Sequence, residues 1–451
     1  MKNLLLELMF IEGAETVDMG RLKALLPQMN TADVAEALDE LPKEKSLQLF
    51  RLLSKTQAAD VFAYIEPDKQ QAVVEALADS EVAEIMNRLF ADDAVDFIEE
   101  MPADVVTRVL RNVHPEKRRV INQLLRYPDD SAGSVMTTEF VDLREDATVA
   151  QAFDNIRTYG VNKETIYTCY VIRGDRTLVG AVSAKALLLA RPDERIGAIM
   201  DKNLVFAHTS DDQEAVALEF QKYGLLAMPV VDTEERLVGI ITVDDVMQII
   251  EEENTEDFEK MNALAPSDEP YLKTSILRLA KNRIVWLLVL MLSATITGAV
   301  ISGFEDALSV LPVLVVFIPM LMDTGGNAGS QSSTLIIRGM AVGEIRLRDA
   351  AKVLWREIRI GALCGLALGL VNMARIYFMN GHNLVLAVTV TASLFATVLM
   401  AKSVGCLLPM VAKKFRIDPA IMAAPLITTI VDASSLVIYF SIAKTFFRMG
   451  G

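Results

Sequence analysis

A run of 21 residues without a charged side chain, residues 284–304, lies in the C-terminal part of the chain. About 20 consecutive apolar residues are enough for an α-helix to cross a bilayer. Further apolar stretches follow near residues 307–337, 360–379, 384–410 and 419–446. The sequence therefore predicts an all-α transmembrane domain of five helices over residues 271–451, embedded in a lipid bilayer.

Charge is distributed unevenly along the chain. Residues 271–451 carry 17 basic and 8 acidic side chains, whereas the first 270 residues carry 27 basic and 52 acidic ones. So acidic a body excludes nucleic acid as an expected partner and favours cations. With the N-terminal part inside, 13 basic residues flank the spans on the inner side, and only Arg375, Lys444 and Arg448 lie outside. This bias predicts a multi-pass protein of the cell (inner) membrane with cytosolic N-terminal domains and an outward-facing C-terminus.

Residues 1–130 contain short amphipathic stretches that each end in a proline. The segment DVAEALDELP at residues 33–42 is echoed at residues 60–67 and again at residues 93–102. Proline lacks the amide donor that a continuing helix needs, so each helix is expected to end there. The uneven spacing of the copies favours an all-α superhelical N-domain over a strict solenoid.

A second internal repeat precedes the membrane part. The segment VMT at residues 135–137 corresponds to IMD at 199–201, and LVGAVS at 178–183 corresponds to LVGIIT at 237–242. Each copy combines helical patterns with two β-branched runs joined by a turn, in the order α-β-β-α. This order, occurring twice, resembles a tandem pair of α+β CBS domains, over residues 131–198 and 199–253.

An acidic helical pattern connects this repeat to the membrane part over residues 244–270. Six acidic residues and no basic residue lie between Glu251 and Glu259. Ile249, Ile250 and Phe258 contribute to an apolar stripe at helical spacing. We expect one long connecting helix that ends in a Pro-containing linker.

Asp432 lies near the centre of the last apolar stretch. A carboxylate at this depth costs about 2.5–3.5 kcal/mol on insertion scales and is usually part of an ion or proton path, although a protonated or hydrogen-bonded packing role is the alternative. Thr428 lies one turn earlier on the same face. Pro425 removes an amide donor, so we expect nearby carbonyls to be free to face a cation.

A second polar stretch, PMLMDTGGNAGSQ at residues 319–331, also lies within an apolar span. It must line water or pack tightly against another helix, and both interpretations can hold together. With the DPA segment at 418–420 and the P-to-D pattern from Pro425 to Asp432, it resembles the MgtE family of magnesium transporters. The order of the domains agrees with that family over essentially the whole chain.

The resemblance implies a homodimeric Mg²⁺ channel that mediates magnesium uptake, with its pore between the protomers. It implies that Asp432, with Thr428 beside it, is the pore carboxylate and that Asn327 lies near the inner end of the pore. Ser435 departs from the family, which often has glycine there. Mg²⁺ prefers six oxygen ligands and dehydrates reluctantly, so two carboxylates can hold it through its water shell. Oxygen ligands alone leave Mn²⁺, Co²⁺ and Ca²⁺ open.

The acidic body contains carboxylates that share helix faces, and such carboxylates repel unless cations lie between them. The alternative is that each is simply a solvated charge. The resemblance implies that cytosolic Mg²⁺ bridges the helical domain, the CBS pair and the connecting helix and closes the pore by negative feedback. The acidic positions that match this scheme are Asp60, Asp92, Asp96, Asp212, Glu214, Asp245, Glu253, Glu256 and Asp257. Gln248 and Gly224 fall where the family often has acids.

CBS pairs often bind adenine nucleotides. The segment from Thr242 to Asp245 resembles their ribose and phosphate contact pattern, whereas the corresponding segment of the first repeat does not. ATP is thus a candidate ligand of the second repeat. The alternative is a pair that serves only as a dimerising mechanical link.

Two other functions compete with a gated channel. One is a secondary carrier for divalent cations such as Mg²⁺ and Co²⁺, and the other is a membrane-tethered nucleotide sensor that transports nothing. A mere anchor has no use for Asp432 at mid-span, which disfavours the sensor. We find no P-loop, nucleophile–base arrangement or metal-ligating His motif, so no enzyme is expected.

Overall fold

The computed structural model describes residues 2–10, 19–267, 271–272, 274–305, 309, 311–379, 383–422 and 424–447. The chain divides into two compact units, Met1–Ile250 and Glu251–Gly451. The fold class predicted from the sequence is confirmed: a helical N-terminal region, two small sheets in the CBS region, a long connecting helix and five membrane-length helices.

Short helices make up the beginning of the first unit. In the described residues they are α1 Lys2–Phe10, α2 Met19–Leu25, α3 Thr31–Glu40, α4 Lys43–Phe50, α5 Lys55–Tyr64, α6 Pro67–Ala76, α7 Asp79–Arg88, α8 Ala91–Glu100, α9 Ala103–Asn112 and α10 Pro115–Leu124. From α3 onward each helix packs against the helix two places later, odd with odd and even with even. This alternation builds two stacked layers around one apolar core, as expected for a superhelix.

The prolines of this region begin helices as well as ending them. Pro42 and Pro102 are the N-cap residues of α4 and α9, and Pro67 is the first residue of α6. A helix does not use the amide hydrogens of its first turn, so proline is well tolerated there. The core between these helices includes an edge-to-face contact of Phe62 with Phe97, whose ring centroids lie 5.1 Å apart.

The two CBS copies have the same topology. Their elements are β1 Asp142–Arg144, α11 Val149–Tyr159, β2 Thr168–Ile172, β3 Leu178–Ser183, α12 Ala184–Leu189 and α13 Ile196–Ile199, then β4 Ala207–His208, α14 Gln213–Tyr223, β5 Ala227–Val231 and β6 Leu237–Thr242. The sheet orders are β1-β2-β3 and β4-β5-β6. In each, the first strand is parallel to the second, and the last two strands are antiparallel.

The register of the hairpins repeats as well. Thr168 pairs with Ser183 and Ala227 with Thr242, and each central strand has an irregularity near its end, at Val171/Ile172 and at Val230/Val231. The leading strands β1 and β4 were not predicted, because three and two residues are too few to show a period of two.

The long helix α15, Val243–Met261, confirms the expected connecting helix. The linker that follows is described as far as residue 267, so residues 268–270 of the predicted linker lie outside the described residues.

In its described residues, the second unit contains five helices that are long and apolar enough to cross a membrane. They are α16 Ile276–Gly303, α17 Ile318–Ala341, α18 Ala350–Met379, α19 Leu384–Lys414 and α20 Ala424–Phe446, and short 3-10 turns precede α17, α18 and α20. The prediction of five spans is confirmed, although the first, third and fourth helices extend beyond the predicted limits. The second span was expected to begin at residue 307, and residues 306–308 lie outside the described residues. The same holds for Lys273 and Arg448, two of the basic residues that flank the spans.

Candidate functional site

The Gly-rich segment of α17 packs directly against α20. An ideal Cβ atom on Gly325 would lie 2.9 Å from Val431 Cγ1, and one on Gly329 would lie 2.7 Å from Ile427 Cγ2. These distances are shorter than a van der Waals contact, so only glycine lets the two helices approach this closely. A small-residue helix contact, one of the two interpretations of this segment, is therefore present.

Thr428 and Asp432 lie on α20 beside this contact. An ideal Cβ atom on Gly326 would lie 3.0 Å from Thr428 Cγ2 and 3.9 Å from Asp432 Oδ1. The Asp432 side chain is partly exposed, and it makes no hydrogen bond or ion pair with another residue that the structure describes. The carboxylate of Asp323 on α17 is close enough to repel the Asp432 carboxylate electrostatically.

Asn327 belongs to an exposed polar face of α17. Its Nδ2 donates a hydrogen bond to Asp323 Oδ1, at 3.2 Å. Asp323, Asn327 and Gln331 are all exposed, and their spacing of four residues puts them on one side of the helix. The second unit thus presents oxygen-bearing side chains of α17 next to the Asp432 carboxylate of α20. Such a set of ligands suits a hard cation.

The expectation for Pro425 is wrong. Pro425 is the second residue of α20, so its missing amide hydrogen falls where a helix does not use one. Its carbonyl accepts hydrogen bonds from the hydroxyls of Thr428, at 2.9 Å, and Thr429, at 3.1 Å. Proline therefore does not free a carbonyl for a cation here, and the Thr428 hydroxyl donates its hydrogen to the helix.

Three family models together match most of the chain. The model of the MgtE divalent cation transporter matches residues 318–442, that of the MgtE intracellular N domain matches residues 29–130, and that of the CBS domain matches residues 132–193 and 196–252.

Curated relatives match almost end to end. The magnesium transporter MgtE of Thermus thermophilus is 36% identical over 437 residues, which cover 96% of each chain. That of Bacillus subtilis is 32% identical over 428 residues, or 94% of this chain and 93% of the relative. The chain belongs to the MgtE family. Membership places it among transporters rather than enzymes.

A solved structure supports the fold of the first unit. The crystal structure of the soluble part of a magnesium transporter is 30% identical and aligns with a TM-score of 0.51, covering 56% of this chain and 97% of that one.

The departure from the MgtE family at Ser435 is accommodated by the helix packing. Ser435 is fully buried, and its Oγ donates to the carbonyl of Val431, at 2.6 Å. The same Oγ lies 3.0 Å from the ideal Cβ position of Gly325. The hydroxymethyl group therefore occupies space that glycine on α17 leaves open, and its hydroxyl has a partner within its own helix.

Two of the predicted regulatory carboxylates of this MgtE protein, Asp92 on α8 and Asp245 on α15, belong to one acidic cluster. Burial and the carboxylates of Asp93 and Asp245 raise the pKa of Asp92 well above its usual range. Burial and Asp245 raise the pKa of Asp93 to about 6. Burial and the charges of Asp93 and Asp245 raise the pKa of Glu164 to about 8. These shifts mean that ionising the whole cluster is unfavourable without a cation.

The charges that act most strongly on Asp92, Asp93 and Glu164 do not include those of the other predicted carboxylates of the first unit. Asp60 and Asp96 are exposed on α5 and α8. Asp212 is the N-cap of α14, where it accepts hydrogen bonds from the amides of Glu214, at 3.0 Å, and Ala215, at 3.3 Å. Within the described part of the chain, no three acidic, His or Cys side chains converge closely enough to form a metal site.

The predicted acids of the connecting helix lie near its C-terminal end. Lys260 Nζ lies 2.7 Å from Glu256 Oε1 and 2.8 Å from Asp418 Oδ2, just before α20. Burial and the charge of Asp418 raise the pKa of Asp257. Met261 packs near Ile337 and Ala420. The end of α15 is therefore attached to the segment that leads into α20, the helix of Asp432. Glu256 forms an ion pair with Lys260, and Glu253 lies about one turn before Glu256 on α15.

The candidate nucleotide residues contact each other. The Thr242 hydroxyl lies 2.6 Å from Asp245 Oδ2, and the Thr242 amide donates to the same oxygen, at 3.3 Å. Asp245 is therefore a candidate for both predicted roles, nucleotide binding and regulatory Mg²⁺ binding, since it also belongs to the acidic cluster.

Three charged residues of these sites were missed by the sequence analysis. Asp323 lies in the Gly-rich stretch of residues 319–331, where the sequence already marks it as a second carboxylate inside an apolar span. Asp93 adjoins Asp92 but occupies a different helical position. Glu164 lies in the loop after α11, where no sequence pattern connects it with α8 or α15.

Proposed function

We propose that this protein transports Mg²⁺ across a membrane along a path lined by Asp432, Thr428, Asn327 and Asp323. The observation that carries the proposal is Asp432: a partly exposed carboxylate inside a membrane-length helix, without a hydrogen-bond or ion-pair partner in the described residues. Such a group is costly unless a cation or water faces it. The relatives named as magnesium transporters favour Mg²⁺ as that cation.

Two copies of the chain form the path in this proposal. Asp323, Asn327 and Gln331 leave a polar face of α17 exposed, and lipid cannot satisfy such groups. A second copy related by a two-fold axis would enclose this face in water and double its carboxylates. The hydrated ion would then pass with its water shell held by oxygen atoms, bound weakly enough to leave again.

The inner side of the membrane is assigned from the basic residues. If residues 271–283, which precede the first span, are inside, the inner flanks and loops hold 13 Lys and Arg residues and the outer ones hold Arg375, Lys444 and Arg448, which favours a cytosolic N-terminal part and an outward-facing C-terminus. Transport in this orientation is uptake, because the membrane potential draws cations towards the cytosol.

Cytosolic Mg²⁺ closes the path by negative feedback in this proposal. Burial and mutual repulsion make it costly to ionise Asp92, Asp93, Glu164 and Asp245 together. In the described residues they do not converge on a metal site, so a divalent cation would bind by drawing α8 and α15 into a tighter arrangement. At the other end of α15, Lys260 and Asp418 connect the helix with the start of α20. A change in α15 can therefore act on the helix of Asp432. Glu253, Glu256, Asp257, Asp60, Asp96, Asp212 and Glu214 remain candidate ligands.

ATP remains a candidate ligand at Thr242 and Asp245 of the second CBS copy. If it binds there, it competes with Mg²⁺ for the Asp245 carboxylate, so the two ligands would oppose each other at this residue.

The test is Mg²⁺ influx into liposomes that contain the full chain, for the native protein, Asp432→Ala and the matched control Glu344→Gln. Glu344 is an exposed carboxylate in the loop between α17 and α18. We expect the Asp432 variant to lose at least nine-tenths of the influx, roughly the factor expected from losing a charge–ion contact, and the Glu344 variant to keep it. Native influx in the Asp432 variant contradicts the proposal. Influx that depends on a proton gradient would favour the secondary carrier over the channel.

A further inference from the structure

Two charged side chains are buried inside the membrane unit. Glu357 on α18 is 7% exposed and Lys402 on α19 is 5% exposed. Ser332 of α17 lies between them: its Oγ donates to Glu357 Oε2, at 2.5 Å, and accepts a hydrogen bond from Lys402 Nζ, at 3.2 Å. The Lys402 Nζ and Glu357 Oε2 atoms are 3.9 Å apart. Three helices are thus joined by one charged network.

Stability alone does not account for this network. A buried ion pair loses most of its Coulomb attraction to desolvation, and replacing both partners by apolar residues is often neutral or stabilising. Removing one partner, in contrast, leaves a buried charge without compensation. Charged residues at such positions in membrane segments usually serve the path of an ion.

The network lies on the buried side of α17, which is rotated by about 100° around the helix axis from the exposed polar residues. Ala328 and Ser332 are buried, whereas Asn327 and Gln331, each one residue earlier, are exposed. Lys402 Nζ also approaches the carbonyl of Ala328, at 3.5 Å. The ammonium group therefore holds α17 at the level of its polar face.

We propose that Lys402 and Glu357 form a charge-balanced anchor that positions the ion-path face of α17. Lys402 binds α17 through Ser332 and the Ala328 carbonyl. Glu357 cancels the positive charge of Lys402, so that the anchor does not repel a cation at the polar face of the same helix. Both are positioning residues, because they act through α17 and not on the ion itself. The inference rests on the proposed ion path along α17.

The test compares the Mg²⁺ influx of Glu357→Gln, Lys402→Met and the double variant in liposomes, per folded protein as judged by size-exclusion chromatography. Glu357→Gln leaves the ammonium uncompensated, so its maximal rate is expected to fall about tenfold. The double variant removes both charges and is expected to regain a maximal rate within about threefold of the native one. Its half-saturating Mg²⁺ concentration is expected to rise, because α17 has lost its anchor.

A merely structural pair would change the melting temperature and leave the rate per folded molecule unchanged. Native rates in Glu357→Gln, or a double variant no faster than Glu357→Gln, would overturn the anchor. If Glu357→Gln does not fold, Ser332→Ala keeps both charges and removes only the bridging hydroxyl. The anchor then predicts a higher half-saturating concentration, and a native value would overturn it.

Asp432→Ala in the same assay separates the anchor from the ion path. If that variant is inactive while Glu357→Gln behaves as the native protein, the anchor alone fails. If Asp432→Ala transports normally, the proposed path fails.

Discussion

Alanine at Gly325 is expected to weaken both the packing of the membrane unit and transport. Its methyl group would lie 2.8 Å from Thr397 Cγ2, 2.9 Å from Val431 Cγ1 and 3.0 Å from Ser435 Oγ. Because carbon atoms pack at about 3.5–4.0 Å, the two carbon contacts are short by roughly 0.6 Å or more. All three neighbours are on α19 or α20, so one of these helices must move away from α17.

The cost of such overpacking is about 1–3 kcal/mol. For a unit of this size it lowers the melting temperature by roughly 2–12 °C. The movement also separates the polar residues of α17 from Asp432, so Mg²⁺ influx is expected to fall. The assays are thermal unfolding of the purified full chain in detergent and influx into liposomes.

Gly298→Ala on α16 is the matched control. An ideal Cβ atom there has no neighbour within 4 Å, and alanine favours a helix over glycine by about 1 kcal/mol. We expect this variant to unfold at the native temperature or above and to transport normally. A native melting temperature for Gly325→Ala, or an equal loss for both variants, would refute the close packing of α17 on α20.

Three further predictions concern the acidic residues outside the spans. Burial and neighbouring carboxylates raise the pKa of Glu164 to about 8, so the stability linked to this group is complete below its unfolded pKa of about 4.5 and is lost as the pH rises through about 8. In calorimetry without divalent cations, the melting temperature of the first unit should fall as the pH rises over this range. Glu164→Gln should make the melting temperature depend less on pH. The same pH dependence in both proteins would count against the cluster. Lys260→Met removes the contacts with Glu256 and Asp418, so amide hydrogen exchange of residues 251–261 should become about fivefold faster, for a loss of about 1 kcal/mol. The control Lys352→Met, at an exposed lysine, should leave this exchange rate unchanged. An unaltered exchange rate in Lys260→Met would exclude the attachment of α15 to the start of α20. The triple variant Glu253→Gln, Glu256→Gln, Asp257→Asn should show weaker inhibition of its currents by cytosolic Mg²⁺ than the native protein. The control Glu344→Gln should be inhibited normally. Full Mg²⁺ inhibition in the triple variant would argue against feedback through α15.

Patterns along the chain were sufficient to predict the domain order. The apolar runs predicted five spans, and the paired LVGAVS and LVGIIT segments predicted the two CBS hairpins, because both signals are local. The parallel strands β1 and β4 escaped prediction because their partners lie about 25 residues away and only two or three residues take part. The prediction for Pro425 was wrong because a proline frees a carbonyl only inside a helix, and the residue at which α20 begins is hard to predict from sequence.

The composition of the candidate site was only partly predictable. Asp432 was identifiable because a single charge in an apolar span is a local anomaly. Lys402 was equally anomalous, but its meaning depends on Glu357 and Ser332, which come from two other helices. Glu164 approaches Asp93 and Asp245 only after the CBS pair and the helical layers have folded, so no one-dimensional pattern contains it.

Patch-clamp recording of the reconstituted full chain measures whether the Asp432 carboxylate holds the permeating ion. With Mg²⁺ as the only permeant cation and cytosolic Mg²⁺ kept low, the native protein should carry unitary inward currents that diminish as cytosolic Mg²⁺ is raised. Asp432→Asn, which keeps the shape and removes the charge, should carry no resolvable Mg²⁺ current. Unitary Mg²⁺ currents of native size in Asp432→Asn would mean that this carboxylate does not hold the permeating ion.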